Sequence, residues 1–208
     1  MRSKFDGVLL ASGGLDSTVL AYDLLSEGKS IVPLFLRYGQ HCAVKEYDTL
    51  CKLMPREYQE NIEIINIEDI YAHSKSRMII EANLWEDEIA ADDLYLPYRN
   101  LLFLSIASAF AQSAEIKNVY SAFINSNHAK EIDCSLEFFT KLETLLSEYG
   151  SVQICMPYRD LSKREVAEIG LRLNVPIAST YSCQVNSSNP CGACPNCVDR
   201  INALIGLE

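Results

Sequence analysis

The sequence predicts an α/β protein built on a doubly wound, mostly parallel five-stranded sheet and closed by a small cysteine-rich C-terminal segment. Two observations carry this. Short apolar runs at 7–11, 31–36, 62–67, 118–124 and 152–156 alternate with stretches of helical periodicity about ten residues long or more, the pattern of strand–helix–strand units. The residues that follow these runs are polar or glycine-rich, as expected where ligands bind beyond the carboxyl ends of parallel strands. A length of 208 residues suits one large domain with a small appendage, divided here into 1–178 and 179–208. Hydrophobic content of 49% with 22% charged residues is enough to bury a real core.

The first run, Val8-Leu9-Leu10-Ala11, opens into Ser12-Gly13-Gly14-Leu15-Asp16-Ser17-Thr18 and a helix over 15–25. Leu15, Val19 and Tyr22 repeat at helical spacing, and Gly28 stops the helix. Adjacent glycines permit backbone angles closed to other residues and let a ligand approach the main chain. Ser12, Ser17 and Thr18 bring hydroxyls to a helix start whose first amides are unpaired and whose dipole end is positive. Such a turn suits a phosphate or pyrophosphate. It lacks the Gly-Lys-Ser/Thr of a Walker loop and the G-x-G-x-x-G of a dinucleotide fold. The plainer alternative is a tight strand-to-helix turn.

The second strand, 31–36, carries Pro33 near its start and empties into Arg37-Tyr38-Gly39-Gln40-His41. A helix over 43–53 ends before Pro55, and the third strand follows at 62–67. Periodicity weakens over 68–96, where Glu86-Asp87-Glu88 and Asp92-Asp93 read as a solvated loop, a lid or a disordered stretch. A helix over 99–111 is apolar nearly all round and should be deeply buried. Arg99 at its start can hold a carboxylate or phosphate bidentately. After the fourth strand come a polar loop at 125–133, whose Asp133 can cap the next helix at 136–149, and then the fifth strand. In the last helix of the sheet region, 162–173, Ser162 and Glu165 form a capping box. Lys163 therefore falls at the first helical position, where a cation opposes the dipole unless an anion lies between. That makes Lys163 a candidate phosphate ligand, with a solvated lysine as the alternative.

In the tail, Cys191, Cys194 and Cys197 form two overlapping C-x-x-C steps, with Cys183 upstream. Four thiolates at this spacing suit a closed tetrahedral zinc site that anchors a short helix through Val198, Ile201, Leu204 and Ile205. An iron–sulfur cluster needs the same ligands, and a C-x-x-C step alone can be a redox pair. The absence of other redox signatures favours zinc. Cys42, Cys51 and Cys155 read as small buried residues, and His41, His73 and His128 show no metal or triad spacing. No Ser-His-Asp arrangement or paired-carboxylate constellation is visible.

The net charge of −10 argues against a broad electrostatic grip on nucleic acid. Met1-Arg2-Ser3-Lys4 runs directly into the first strand without the pattern of a secretory leader. The longest apolar stretch, 101–111, is about half the ~20 residues a membrane span needs. A cytoplasmic protein without membrane partners is expected, and its eight cysteines are then not a disulfide framework.

Ser12-Gly13-Gly14-Leu15-Asp16-Ser17 resembles the SGGxDS motif of the PP-loop ATP pyrophosphatases. Taken with Tyr38-Gly39-Gln40, Arg99-Asn100-Leu101-Leu102-Phe103-Leu104, Asp133-Cys134, Leu161-Ser162-Lys163 and the cysteine tail, the chain resembles the QueC family of 7-cyano-7-deazaguanine synthases over nearly its whole length. The resemblance implies an adenine nucleotide alpha hydrolase-like sheet, a homodimer, ATP with Mg2+, and a structural Zn2+ on Cys183, Cys191, Cys194 and Cys197. It places ATP against Leu10, Ala11, Ser12, Gly13, Gly14, Leu15, Asp16, Ser17, Thr18, Tyr38 and Gln40. Catalytic roles fall to Asp16, Lys163 and Arg99, and contacts to the 7-deazaguanine substrate to Arg99, Asn100 and Asp133. The implied reaction adenylates the carboxylate of 7-carboxy-7-deazaguanine, releases pyrophosphate, passes the acyl group to a nitrogen nucleophile, and dehydrates the amide to a nitrile.

Three stretches depart from the family pattern. His41 follows Gln40 where the family has Arg-His; Tyr98 stands in place of the glycine of Pro-Gly-Arg-Asn; and of Gly-Tyr-Pro-Asp-Cys only Asp133-Cys134 remains. These changes lie on the acceptor side. An alternative is therefore a QueC-like enzyme of the kind found in antiphage (CBASS) operons, which joins the deazaguanine to a protein amine. Alternatives of another class are a tRNA-modifying PP-loop enzyme and a non-catalytic ATP-binding subunit.

Overall fold

Val8, Leu9 and Leu10 are all buried, which an alternating strand with one wet face would not allow. The computed structural model, which describes residues 4–83, 85–124 and 135–207, explains why. Strands β1 (Gly7–Leu10), β2 (Ile31–Arg37), β3 (Glu63–Asn66), β4 (Asn118–Tyr120) and β5 (Gln153–Cys155) form one sheet in the order β3-β2-β1-β4-β5. Every neighbouring pair is parallel. Helices cover both faces, so β1 at the centre meets apolar side chains on each.

Leu9 packs in one cluster with Leu15, Val19 and Leu24 of α1 (Leu15–Ser26), Leu50 of α2 (Ala43–Leu53), and Val166 and Ala167 of α6 (Lys163–Arg172). Val8 and Leu10 point the other way, to Leu104, Ala107 and Ala111 of α4 (Arg99–Ser113) and Phe139 and Leu142 of α5 (Leu136–Tyr149). The four-residue α3 (Arg56–Gln59) follows Pro55, and α7 (Pro195–Leu204) closes the chain.

Pro33 sits inside β2 rather than weakening its start. Ala11 N–H donates to the Leu34 carbonyl, so the Leu34 backbone faces β1, and Pro33, its neighbour in the alternation, faces the β3 side. Pairing with β3 begins only at Leu34, so the missing N–H of Pro33 costs no ladder bond. β4 ends at Tyr120, short of the 118–124 expected from the sequence, because its partner β5 has only three residues. One further bond, Ser121 N–H to the Cys155 carbonyl, closes the pair.

Helix α4 is buried on its sheet side and only half-buried elsewhere, not deeply buried all round as the sequence suggests. Its outer Leu102 and Phe103 pack on Tyr38, Tyr71, Met78 and Leu96. The 68–96 stretch thus lies over α4, with short 3-10 turns at Glu68–Tyr71 and Ala91–Leu94. Tyr71 donates to the Pro97 carbonyl at 3.0 Å, and Arg77 pairs with Asp87 at 2.8 Å. No helix among the described residues is long and apolar enough to cross a membrane.

The chain runs outward from β1 to β3 and returns on the other side of β1 at β4. This reversal leaves a crevice beyond the carboxyl ends of β1 and β4, the usual ligand position in open parallel sheets. Helices α1 and α6 flank it and touch through Gly170, where a Cβ would lie 2.8 Å from Val19 Cγ2 and 2.9 Å from Ile177 Cγ2. Gly170→Val should therefore destabilise the fold by about 2 kcal/mol despite its better helix propensity, measured by urea unfolding.

Candidate functional site

The crevice holds a cavity of about 290 Å³. Its floor is the end of β1 and the loop after it, with Ser12, Gly14, Leu15, Asp16 and Ser17. The end of β2, the Ser121–Phe123 stretch after β4, and Arg99, Asn100 and Phe103 of α4 form further walls. The tail contributes Tyr181, Ser182, Gln184 and Asn196.

The loop is shaped by close backbone approach. Gly13 is left-handed (φ 73°), and a Cβ there would lie 2.7 Å from the Glu46 carbonyl and the Leu50 amide of α2. The Gly13 carbonyl accepts from Tyr181 N–H at 3.1 Å, tying loop to tail. Helix α1 starts at Gly14 with no side-chain cap, so its first amides stay available to an anion. Ser17 Oγ accepts from Ser12 N–H at 3.3 Å and donates to the Gly14 carbonyl at 3.4 Å, bracing the turn.

Lys163 and Asp16 face each other across the loop, Nζ to Oδ2 at 3.2 Å. The capping box holds as expected: Ser162 Oγ accepts from Glu165 N–H, and Glu165 accepts from Ser162 N–H at 2.7 Å, which holds the Glu165 carboxyl below its usual range. Asp16 thereby supplies the negative charge that a lysine at a helix start requires. The second Asp16 oxygen, Oδ1, is buried and has no hydrogen-bond partner among the described residues; the same is true of Ser121 Oγ and Ser182 Oγ.

Arg99 Nε donates to Asn100 Oδ1 at 3.4 Å and Nη1 lies 3.2 Å from Met78 Sδ. No carboxylate among the described residues pairs with it. Tyr98, just before it, is left-handed (φ 57°) and 72% exposed. Tyr38 and Gln40 line the cavity, but the Gln40 amide is spent on the chain, accepting from Tyr38 N–H at 2.8 Å and donating to the Leu36 carbonyl and Glu46. Of the loop residues expected at the nucleotide, Gly13 and Thr18 do not line the cavity: Gly13 packs on α2, and the Thr18 hydroxyl is buried. Asp133 lies outside the described residues.

Sequence reasoning passed over Glu46, Ser121, Ser182, Gln184 and Asn196. Glu46 left a trace: with Ala43 and Leu50 it falls on the buried side of α2, an acid on an apolar face. Burial and then the Glu46 charge push the Tyr38 hydroxyl pKa up. His41, for which no role was expected, is a junction. Its Nδ1 lies 2.9 Å from Ser187 Oγ, and its Nε2 lies 3.1 Å from the carbonyls of both Arg77 and Gln184, joining the 68–96 stretch to the tail.

The sulfurs of Cys183, Cys191, Cys194 and Cys197 lie within 4.8 Å of one another. Zinc–sulfur bonds of ~2.3 Å in a tetrahedron put sulfurs about 3.8 Å apart, so this set fits such an ion. The Cys194 thiol and the Cys191, Val185 and Asn186 amides converge on Cys183 Sγ and lower its pKa, while the same contact and burial raise that of Cys194. Gly192, left-handed at φ 74°, makes the turn between the first two tail cysteines, and Pro195 opens α7.

A family model described as "Queuosine biosynthesis protein QueC" matches residues 6–208. A 7-cyano-7-deazaguanine synthase of Picrophilus torridus is 33% identical over 95% of this chain and 86% of its own length. That of Caldicellulosiruptor saccharolyticus is 32% identical over 97% and 92%, and that of Aquifex aeolicus 31% over 98% and 99%. Among solved structures, a 4-thiouridine synthetase–RNA complex with bound ATP matches with a TM-score of 0.54 at 20% identity, over 97% of this chain and 54% of that one. A predicted tRNA methyltransferase subunit from Methanocaldococcus jannaschii matches with a TM-score of 0.52 at 16% identity, over 80% and 74%. These two share the fold, the parallel PP-loop sheet expected from the sequence.

The four-sulfur set should hold about one metal ion per chain, read by elemental analysis. Cys194→Ser should lose most of it and lower the Tm by about 5 °C or more.

Proposed function

The chain belongs to the QueC family, and we propose that it is an ATP-dependent, AMP-forming carbon–nitrogen ligase acting on 7-carboxy-7-deazaguanine. One observation carries this reading. An uncapped helix start with the Asp16–Lys163 pair and an arginine without a carboxylate partner among the described residues open into one cavity, so a triphosphate and an organic acid can meet there. The substrate class is that of the family's 7-cyano-7-deazaguanine synthases.

In this reading the β- and γ-phosphates rest on the first amides of α1, with Ser12 and Ser17 beside them. Lys163 neutralises their charge as it grows on the leaving pyrophosphate. Asp16 Oδ1, buried and unpartnered, is the oxygen that would hold Mg2+, which supplies charge neutralisation on the phosphates when bound. Arg99 holds the substrate carboxylate facing the α-phosphorus. Attack of that carboxylate forms the acyl–phosphate bond and breaks the bond from the α-phosphorus to the bridging oxygen, releasing pyrophosphate. Ammonia then displaces AMP and loses a proton to give the amide. A second ATP adenylates the amide oxygen with release of a second pyrophosphate, and that oxygen then leaves as AMP, two protons being lost in all, to give the nitrile. Each step is mainly positioning and charge stabilisation, which this residue set can provide.

The four cysteines would hold Zn2+ with no open coordination position, so its role would be to order the tail that lines the cavity. A second reading keeps the adenylation and changes the acceptor to a protein amine. Tyr98 favours it: a bulky exposed residue in a left-handed conformation, next to Arg99, costs roughly 1–2 kcal/mol that glycine would not. An intact-mass adduct on a co-expressed protein, with no free nitrile, would select that reading.

With ATP, Mg2+, ammonium and 7-carboxy-7-deazaguanine, the protein should release pyrophosphate only when the acid is present. Asp16→Asn and Lys163→Ala should each lower kcat by about 100-fold or more. No acid-dependent pyrophosphate from the wild type, or unchanged rates in both variants, would sink the proposal.

A further inference from the structure

We infer that Glu46 reads the base, its carboxylate accepting from a ring N–H and the adjacent exocyclic amine of a guanine-type substrate. This rests on the deazaguanine reading above. Glu46 lines the cavity yet is only 3% exposed. Its oxygens each take one amide hydrogen: Oε2 from Gln40 Nε2 at 3.1 Å and Oε1 from Gln184 Nε2 at 2.9 Å. No cation pairs with it among the described residues.

A full charge is costly to bury among neutral partners, and the first turn of α2 offsets only part of that cost. A brace between two amides uses only one acceptor position on each oxygen. A carboxylate is explained by what it has left over. Its two oxygens offer about four acceptor positions; the two amides use one on each oxygen, and the Cys42 thiol lies beside the carboxylate. What remains is a pair of parallel acceptors fixed in direction by Gln40 on one side and Gln184 on the other. Two neighbouring N–H donors match that pair, and the lactam N–H and 2-amino group of a guanine-type ring are such donors. Tyr38, Phe103 and Tyr181 line the same cavity and offer aromatic surface for the ring plane, the usual companion of edge recognition in a pocket. A hypoxanthine-type ring, which lacks the 2-amino group, would leave one acceptor position unfilled in a buried site.

The test compares 7-carboxy-7-deazaguanine with its 2-deamino analogue, following pyrophosphate release at saturating ATP. The wild type should prefer the guanine form by about 30-fold or more in kcat/KM. Glu46→Gln should reduce that preference to within about threefold, mostly through KM for the acid, with KM for ATP within about twofold of wild type. A wild type that turns over both acids equally well overturns the inference whether or not the variant folds. So does a Glu46→Gln that loses activity on both acids by one factor, as a purely bracing role predicts, or that keeps the preference. If the wild type turns over neither acid, the reading of the function itself fails and the inference falls with it.

Discussion

The site depends on how closely three segments of backbone approach at Gly13. The loop after β1 lies directly on the first turns of α2, with no room for a Cβ, and is bonded on its other side to the tail at Tyr181. A larger residue would push the loop off α2 and also move the start of α1, whose uncapped amides suit an anion. The same contact brings Glu46 and the Tyr181–Gln184 stretch to the rim of the loop. One glycine thereby sets the spacing between the phosphate end of the cavity and the wall that faces it.

Charge is sorted along that cavity in a way the net charge of −10 conceals. Lys163, Arg99 and the α1 start gather positive potential, although Asp16 already balances Lys163. Glu46 stands apart from them, held by two amides with the Cys42 thiol beside it. An acidic protein can therefore hold a highly anionic nucleotide, because a few oriented donors in a secluded site outweigh distant surface charges screened by water. It also follows that the two ends of the cavity select different chemistry, anions at one and hydrogen-bond donors at the other.

Much of the fold could be read from the chain because both faces of the sheet are covered. β1 and β2 then appear as uninterrupted apolar runs and the helices as long periodic segments, and strand order aside, all five strands were visible. The capping box at Ser162 and Glu165, and with it the position of Lys163, was legible because a capping motif is local. Local signals failed where tertiary packing decided. The exposed side of α4 could not be assigned without knowing that residues 68–96 lie on it. Nor could the sequence show that the Gln40 amide, which lines the cavity, also braces the turn, or that Gly13 packs on α2. Ser121 and Ser182 carry no periodicity or motif; only the fold brings their hydroxyls to the cavity wall.

The tail explains why a metal with no chemical role belongs in such a site. Tyr181, Cys183, Val185, Cys194 and Cys197 bury each other with Cys42, Ala82, Ile89 and Leu94 from the body, a small cluster for a segment of this length. Arg200 helps, donating to Thr180 and to the carbonyls of Ile177 and Ala178, and His41 joins the tail to the 68–96 stretch. Four thiolates on one ion would add a rigid crosslink among residues 183–197 that hydrogen bonds alone do not match. Ser182 and Gln184 flank Cys183 directly, so immobilising that sulfur immobilises two walls of the cavity. Binding then costs less ordering of the protein, and the edge facing Glu46 keeps its geometry through turnover.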